Sequence, residues 1–191
     1  MKSDIILSGV GGQGILSIAA IIGMAAVENG LNIKQAEVHG MSQRGGDVQS
    51  HLRLSDSEIS SDLIPYGGAG LILSVEPMES LRYLPWLAED GWLVTNSNPF
   101  INIPDYPDIS LVLDEIRNCR NNVIVDAEKI ARELGSIKVA NIVMVGAASH
   151  FVDIPYESLV NAIRKLFGRK GDDVVQLNIN ALASGRDQVT V

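Results

Sequence analysis

The sequence predicts an α/β protein: a Rossmann-like, mostly parallel sheet with helices on both faces and a possible antiparallel edge strand. Three observations predict it. Short apolar runs alternate with longer helical patterns along the chain. The first run, "DIILSG", opens into the glycine-rich loop "SGVGGQG" and then a helical stretch, the order of a strand, a turn and a crossover helix. The stretch "DVQSHLRLS" alternates strictly, with Val48, Ser50, Leu52 and Leu54 on one side and Gln49, His51 and Arg53 on the other. That pattern belongs to a strand with one wet side, near an edge or antiparallel.

"DIILSG" is a buried strand. In "ILSIAAIIGMAAVENG", Ile15, Ile18, Ile22, Ala25 and Ala26 share one helical face and Gly30 supplies the stop. "NIKQAEVHG" is a second strand, so the first three elements read as a right-handed parallel βαβ unit. "GLILSVEP" is a buried strand. "MESLRYLPWLAEDG" reads as a helix interrupted at Pro85 and ended by Gly91, followed by the strand "WLVTN". Residues 97–110, with three prolines, are an irregular excursion. "SLVLDEIRN" is a short helix, "NVIVDA" a strand and "EKIARELG" a helix. "KVANIVMVGAASHFV" is apolar on nearly all sides, hence a buried helix. "YESLVNAIRKLFGR" is amphipathic with Pro155 at its start, and "GDDVVQLNINALASGRDQV" is a final helix.

With 191 residues and neither repeats nor low-complexity tracts, the chain reads as a single domain over residues 1–191. The formal charge of −8 argues against nucleic acid or an anionic membrane as the general partner. No apolar run reaches the roughly 18 residues of a membrane span, and no signal-peptide pattern opens the chain. A cytoplasmic protein is expected. Cys119 is the only cysteine, which excludes an internal disulfide and a cysteine-held zinc or iron–sulfur site. It sits in the polar stretch "RNCRNN", where an unreactive thiol is the expectation.

Gly9, Gly11 and Gly14 satisfy G-x-G-x-x-G between a strand and a helix, with Gly12 and Gln13 completing the loop. Such glycines permit a tight turn, close backbone approach to a phosphate, and close helix–strand packing, while the helix N-terminus offers unpaired N–H groups. The same glycines serve equally if they only let neighbouring backbone pack. A dinucleotide reading also wants an acid at the end of the second strand. Glu37 fits that place only partly, since Val38 and His39 follow it. No Gly-Lys-Ser/Thr follows, so this is not a P-loop. The turn "HGMSQRGG" leaves the same rim of a parallel sheet. Ser42 and Gln43 offer hydrogen bonds, Arg44 a planar fork for carboxylate or phosphate, and Gly45 and Gly46 close backbone approach. The alternative for Arg44 is pairing with an acid such as Asp47. His39 and His51 lack a third ligand for a metal, His150 reads as a core histidine, and Asn141 places an amide near the rim or bonds backbone. No nucleophile or base with a convincing partner emerges, so no catalytic residue is assigned.

"DIILSGVGGQGILS", "AEVHGMSQRGGDVQSHLR", "DLIPYGGAGLILSVEPMESLRYLPWL" and "KVANIVMVGAAS" resemble, in this order, the gamma-type component of 2-oxoacid:ferredoxin oxidoreductases. "EVHGMSQRGG" and "EPMESLRYLPWL" look most like the beta subunit of indolepyruvate ferredoxin oxidoreductases. The resemblance runs from residue 3 to about residue 185 and is loose over 97–125. It implies an accessory subunit in a complex that converts an arylpyruvate and coenzyme A to aryl-acetyl-CoA and CO2, reducing ferredoxin. Thiamine diphosphate, Mg and iron–sulfur clusters would belong to a large partner subunit. The chain agrees: it has one cysteine and no Gly-Asp-Gly motif with a following Asn. The resemblance implies that Gly9, Gly11, Gly12, Gln13, Gly14 and Ser42, Gln43, Arg44, Gly45, Gly46 form a rim that meets this partner and holds coenzyme A phosphates or closes the cavity. The alternatives are a subunit for pyruvate or another 2-oxo acid, a free-standing nicotinamide-dependent dehydrogenase, and a nucleotide-binding regulatory domain.

Overall fold

The computed structural model describes residues 1–40, 45–101 and 103–190. Its strands are β1 (Lys2–Val10), β2 (Asn32–His39), β3 (Asp47–Ser55), β4 (Ala69–Ser74), β5 (Leu87–Asn96) and β6 (Asn122–Val125). They form one sheet in the order β2-β3-β1-β4-β5-β6. β1 pairs in parallel with β4, β4 with β5 and β5 with β6; β3 pairs antiparallel with both β1 and β2. The sheet is therefore mostly parallel, with antiparallel pairing confined to one margin. β1 lies in the middle, and Ile5, Ile6 and Leu7 are wholly buried.

The helices are α1 (Ile15–Glu28), α2 (Pro77–Arg82), α3 (Ile109–Arg117), α4 (Ala127–Glu133), α5 (Ala140–Ala148), α6 (Tyr156–Phe167) and α7 (Asp172–Arg186). One sheet face carries the larger core. There Ile5, Leu7, Leu52, Leu71, Leu73 and Val94 pack against residues of α1, α4, α5, α6 and α7. The other face is smaller: Ile6, Ile72 and Leu93 meet Ile64, Tyr83, Val112 and Ile116. The alternation of strand side chains puts consecutive residues such as Ile5, Ile6 and Leu7 into opposite cores.

Local chemistry sets the helix ends. Gly30, at φ 72°, follows α1; its amide bonds Val27 O and the Leu31 amide bonds Ala26 O, the paired bonds of a Schellman stop. Asp108 accepts the Ser110 amide at the start of α3, and Asp126 accepts the Lys129 amide at the start of α4. α5 and α7 cross at Gly146 and Gly185. A β-carbon on Gly146 would fall 2.0 Å from Leu182 O, and one on Gly185 would fall 1.9 Å from Val143 O.

Two expectations need correction. First, β1, α1 and β2 are not a simple βαβ unit. β1 and β2 run the same way, but β3 inserts between them and bonds both. The alternating β3 sequence explains this: its apolar side joins the large core, and its polar side is covered by the 56–68 segment, where Arg53 bonds Asp4, Ser61 O and Leu63 O. Second, the helix beginning at Pro77 stops at Arg82, and a single 3-10 turn (Leu84–Trp86) leads directly into β5. Pro85 cannot supply the N–H that would prolong the helix. Gly91 is not a helix stop but an interior strand residue beside the β4–β5 register shift, where a β-carbon would meet Ala69 O at 2.8 Å.

Candidate functional site

The glycine loop begins where β1 runs out. The Gln13 amide donates to Val10 O at 3.1 Å, closing a turn over residues 10–13. The Gln13 side chain then braces it: Oε1 accepts the Val10 amide at 2.8 Å, and Nε2 donates to Val75 O at 3.3 Å. One amide thus ties the end of β1 to the residue just past β4. Gly14 takes φ 84° as the first residue before α1, and no side chain caps that helix. A β-carbon there would lie 2.5 Å from Asn141 Nδ2, which instead donates to Gly14 O at 3.3 Å.

The second glycine turn lies on the same rim. The Gly11 amide donates to Gly46 O at 2.8 Å, and the Gly45 amide reaches back to Gly11 O. The antiparallel β1–β3 register makes this unavoidable, because Val10 stands opposite Asp47. Ser42, Gln43 and Arg44 lie outside the described residues, as does the side chain of His39.

This rim is formed by the carboxyl ends of the parallel strands, and the connections diverge there. α1, after β1, packs into the larger core; α2, after β4, packs on the opposite face. Open α/β sheets place ligands at such a switch point. A cavity of about 730 Å3 opens there. Its lining includes Gly12, Gln13, Gly14, Asn96, Asn141 and Lys138. Asn96 fastens the neighbouring strands: Nδ2 donates to Val75 O at 3.4 Å and Oδ1 accepts the Ala127 amide at 3.1 Å.

Sequence reasoning did not single out Glu76, which is 1% exposed at the foot of α2. Its Oε2 accepts the Glu79 amide at 2.8 Å; Oε1 accepts the Phe100 amide at 3.2 Å and the Tyr106 hydroxyl. Burial and the adjoining carboxylate push the Tyr106 phenol above its ordinary range. Glu76 therefore anchors the 97–108 excursion over the rim. The Glu-Pro pair closing "SVEP" was the available signal, a cap followed by proline in the first helical turn. Burial also raises the Glu79 carboxyl, against the opposing pull of its bidentate partner Arg82.

The other candidates fall into place. Asn141 reaches the rim and also bonds backbone. His51 is buried and engaged at both ring nitrogens: Nδ1 accepts the Ile64 amide at 3.0 Å, and Nε2 lies 3.0 Å from the Gln49 amide. His150 Nε2 lies 3.1 Å from Arg186 O. Cys119 is half-buried, and burial, then Glu115, push its thiol up. Glu37 stands on β2, separated from β1 by β3. A dinucleotide fold instead needs its acid on the strand beside β1. Among the described residues, no group of three or more His, Cys, Asp or Glu could hold a metal, and no helix is long and apolar enough to cross a membrane.

Comparison with known proteins gives the fold a family. Residues 4–188 match the pyruvate ferredoxin/flavodoxin oxidoreductase family. The indolepyruvate oxidoreductase subunit IorB of Archaeoglobus fulgidus is 37% identical, over 98% of this chain and 96% of the relative. Its counterpart in Methanothermobacter thermautotrophicus is 34% identical, over 97% and 96%. Among solved structures, the pyruvate oxidoreductase subunit PORC of Thermotoga maritima superposes with a TM-score of 0.75 at 23% identity, over 99% of this chain and 97% of that one. A 2-oxoglutarate:ferredoxin oxidoreductase of Magnetococcus marinus, with 2-oxoglutarate, coenzyme A and succinyl-CoA bound, gives 0.79 at 21% identity. The match covers 98% of this chain but 31% of the Magnetococcus chain, so the same fold there is one part of a longer polypeptide. On the extent of the family match and the identity to the IorB subunits, this chain belongs to the pyruvate ferredoxin/flavodoxin oxidoreductase family.

Proposed function

We propose that this chain is a non-catalytic, gamma-type subunit of a cytoplasmic 2-oxoacid:ferredoxin oxidoreductase acting on indolepyruvate or a related arylpyruvate, its 191 residues forming one domain. In the complex, the 2-oxo acid loses CO2, its acyl carbon is joined to the sulfur of coenzyme A, and the electron pair released passes to ferredoxin. Thiamine diphosphate, Mg and iron–sulfur clusters would sit on a large partner subunit. This chain's single cysteine supplies no cluster ligand set.

The observation that carries the reading is the meeting of the two glycine bends, Gly11 to Gly46, at a rim beside a cavity. This backbone, poor in side chains, lets a phosphate chain or a partner's surface come close. Exposed apolar side chains crowd the same region: Leu16 at 61%, Phe100 at 41% and Ile137 at 44%. Such a surface suits a lasting protein interface. Within it, Gly9, Gly11, Gly12, Gln13 and Gly14 shape one lip and Gly45 and Gly46 belong to the other; Ser42, Gln43 and Arg44, outside the described residues, are assigned to the same coenzyme A path.

The test is reconstitution. The isolated chain reduces no ferredoxin with indolepyruvate, phenylpyruvate or pyruvate; co-purified with its large partner it does, fastest with an arylpyruvate. Within that complex, Arg44→Ala raises KM for coenzyme A more than KM for the 2-oxo acid. Equal changes, or none, would remove Arg44 from the coenzyme A path.

A further inference from the structure

We infer that the outer edge of β2, together with the adjoining face of α1, is an interface for a second copy of this chain, joined strand to strand about a two-fold axis at Ala36. The two sheets then run on as one. The inference goes beyond the oxidoreductase reading and is independent of it: strand edge, helix face and register carry it.

The strand is built like one that takes a neighbour. β2 closes the sheet at one end, with β3 beside it. Its register runs unbroken from Asn32 opposite Ser55 to His39 opposite Val48, and the strand holds no proline. Edge strands that stay single are usually blunted by proline, a bulge or clustered charge. Here the charged residues are only Lys34 and Glu37. In step with the same register, the Gly40 amide donates to Asp47 O at 3.0 Å. Residues of an antiparallel strand alternate between facing the partner and facing away. The even-numbered residues therefore turn their backbone groups toward β3, while Ile33 and Gln35 turn theirs outward.

The flank of this edge is apolar. Residues 15–27 include no charged side chain, and Val27 is 60% exposed. A β-carbon on Gly23 would fall 2.7 Å from Ile33 Cδ1, so α1 touches β2 there, and Val27 lies one turn on along the same helix face. An uncharged flank suits a two-fold contact, in which charges near the axis would approach their own likes. Polarity then selects the register. With Ala36 on the axis, Gln35 stands opposite the copy's Glu37, and Lys34 opposite the copy's Val38. Within one strand Gln35 Nε2 donates to Glu37 Oε2 at 3.2 Å, so the same amide and carboxylate are matched across the junction. An axis one residue earlier would set Gln35 against itself and Glu37 against Ile33. Ala36 turns its backbone to β3, so on the axis it forms a closely spaced pair without hydrogen bonds, with Cα atoms about 4.5 Å apart. A methyl side chain fits that spacing.

Sedimentation equilibrium of the full chain tests this without substrate or cofactor. The variants are Gln35→Pro, which deletes an outward N–H and spares the bonds to β3, and Val27→Glu, which charges the flank. Leu111→Glu, at an exposed apolar residue of α3, is the control. We expect wild type to dimerise as its concentration rises. Gln35→Pro and Val27→Glu should each raise the dimer dissociation constant by about 10-fold or more, and Leu111→Glu should leave it unchanged. Should Gln35→Pro fail to fold, Val27→Glu, at an exposed site, still decides. The register has its own readout, in a Cys119→Ser background that removes the native cysteine. Mild oxidation should link Ala36→Cys between copies, since its Cα spacing falls within the roughly 4.4–6.8 Å of a disulfide. Lys34→Cys, whose copy lies about 14 Å away along the strand, should stay unlinked. A chain monomeric at every concentration, a dimer indifferent to both variants, or no preference for Ala36→Cys overturns the inference. A monomeric chain that binds the large subunit through this edge, losing it on Gln35→Pro, also overturns it and assigns the edge to that subunit.

Discussion

The Gly11 amide donates to the Gly46 carbonyl across 2.8 Å, joining two loops that lie 35 residues apart in the chain (46 − 11 = 35). The joint ties the glycine loop to Gly45 and Gly46 at the entry to β3. Whatever meets one meets the other.

The side chain that keeps the glycine loop in shape is Gln13. Gln13→Ala deletes the bonds to the Val10 amide and Val75 O, at about 1 kcal/mol each. Native-state hydrogen exchange should show the Val10 and Gly11 amides exchanging faster, while amides in α7 keep their wild-type rates. Unaltered exchange at Val10 would show that the turn holds itself without the brace.

Two neighbouring glycines should respond differently to the same change. Gly14→Ala must adopt φ 84° and also push a methyl to 2.5 Å from Asn141 Nδ2; Gly12→Ala adopts φ 104° with nothing within 4 Å. Each carries a backbone penalty of about 1–2 kcal/mol. Only Gly14→Ala adds the steric one, so its denaturant midpoint should be the lower. Asn141→Ala combined with Gly14→Ala should recover part of the difference.

The α5–α7 crossing is the least forgiving contact in the large core. Gly185→Ala would bring a methyl to 1.9 Å from Val143 O, which is backbone and cannot turn aside. The helices must separate, and overpacking of this kind costs roughly 1–3 kcal/mol or more. Thermal unfolding should fall by several degrees for Gly185→Ala and for Gly146→Ala, whereas Gly168→Ala, with open space around it, should change little.

His51 gives stability a pH dependence of known sign. Burial lowers its pKa below the ordinary 6.5, outweighing the attraction of Asp62. The unfolded chain therefore binds a proton that the folded chain refuses. The stabilisation is full above pH 6.5 and is lost as pH falls from there through the lower folded value. Because Nδ1 accepts the Ile64 amide, the neutral ring carries its proton on Nε2 and the Gln49 side-chain amide must turn its oxygen toward it; protonation of Nδ1 would set a donor against the Ile64 N–H. Urea midpoints at pH 7.5 and pH 5.5 should differ more for wild type than for His51→Gln; equal differences would assign the dependence elsewhere.

Much of the fold was legible because its signals are local. The glycine turn, the alternation of β3, the Gly30 stop and the all-apolar α5 each show in a few adjacent residues. What was hidden is long-range. Nothing in "NIKQAEVHG" states that β3 will insert beside β1, since pairing is settled by which apolar sides the larger core can cover. Leu87–Asp90 read as the end of a helix because its residues tolerate either state; the neighbouring β4 edge decides. At the site, the glycines were legible as motif, and their joining through Gly46 follows from β1–β3 register. Lys138 was not, because it sits on the short turn Ile137–Val139, which only the packed fold brings to the cavity.

The place of β3 has a consequence for synthesis. β1 leaves the ribosome first, but its two edges wait for partners at Asp47–Ser55 and Ala69–Ser74. At about 5–20 residues per second, this strand, with Ile5, Ile6 and Leu7 destined for the core, stays uncovered for several seconds. A nascent chain halted near residue 60 should therefore engage a holding chaperone, and one halted beyond α2 should release it.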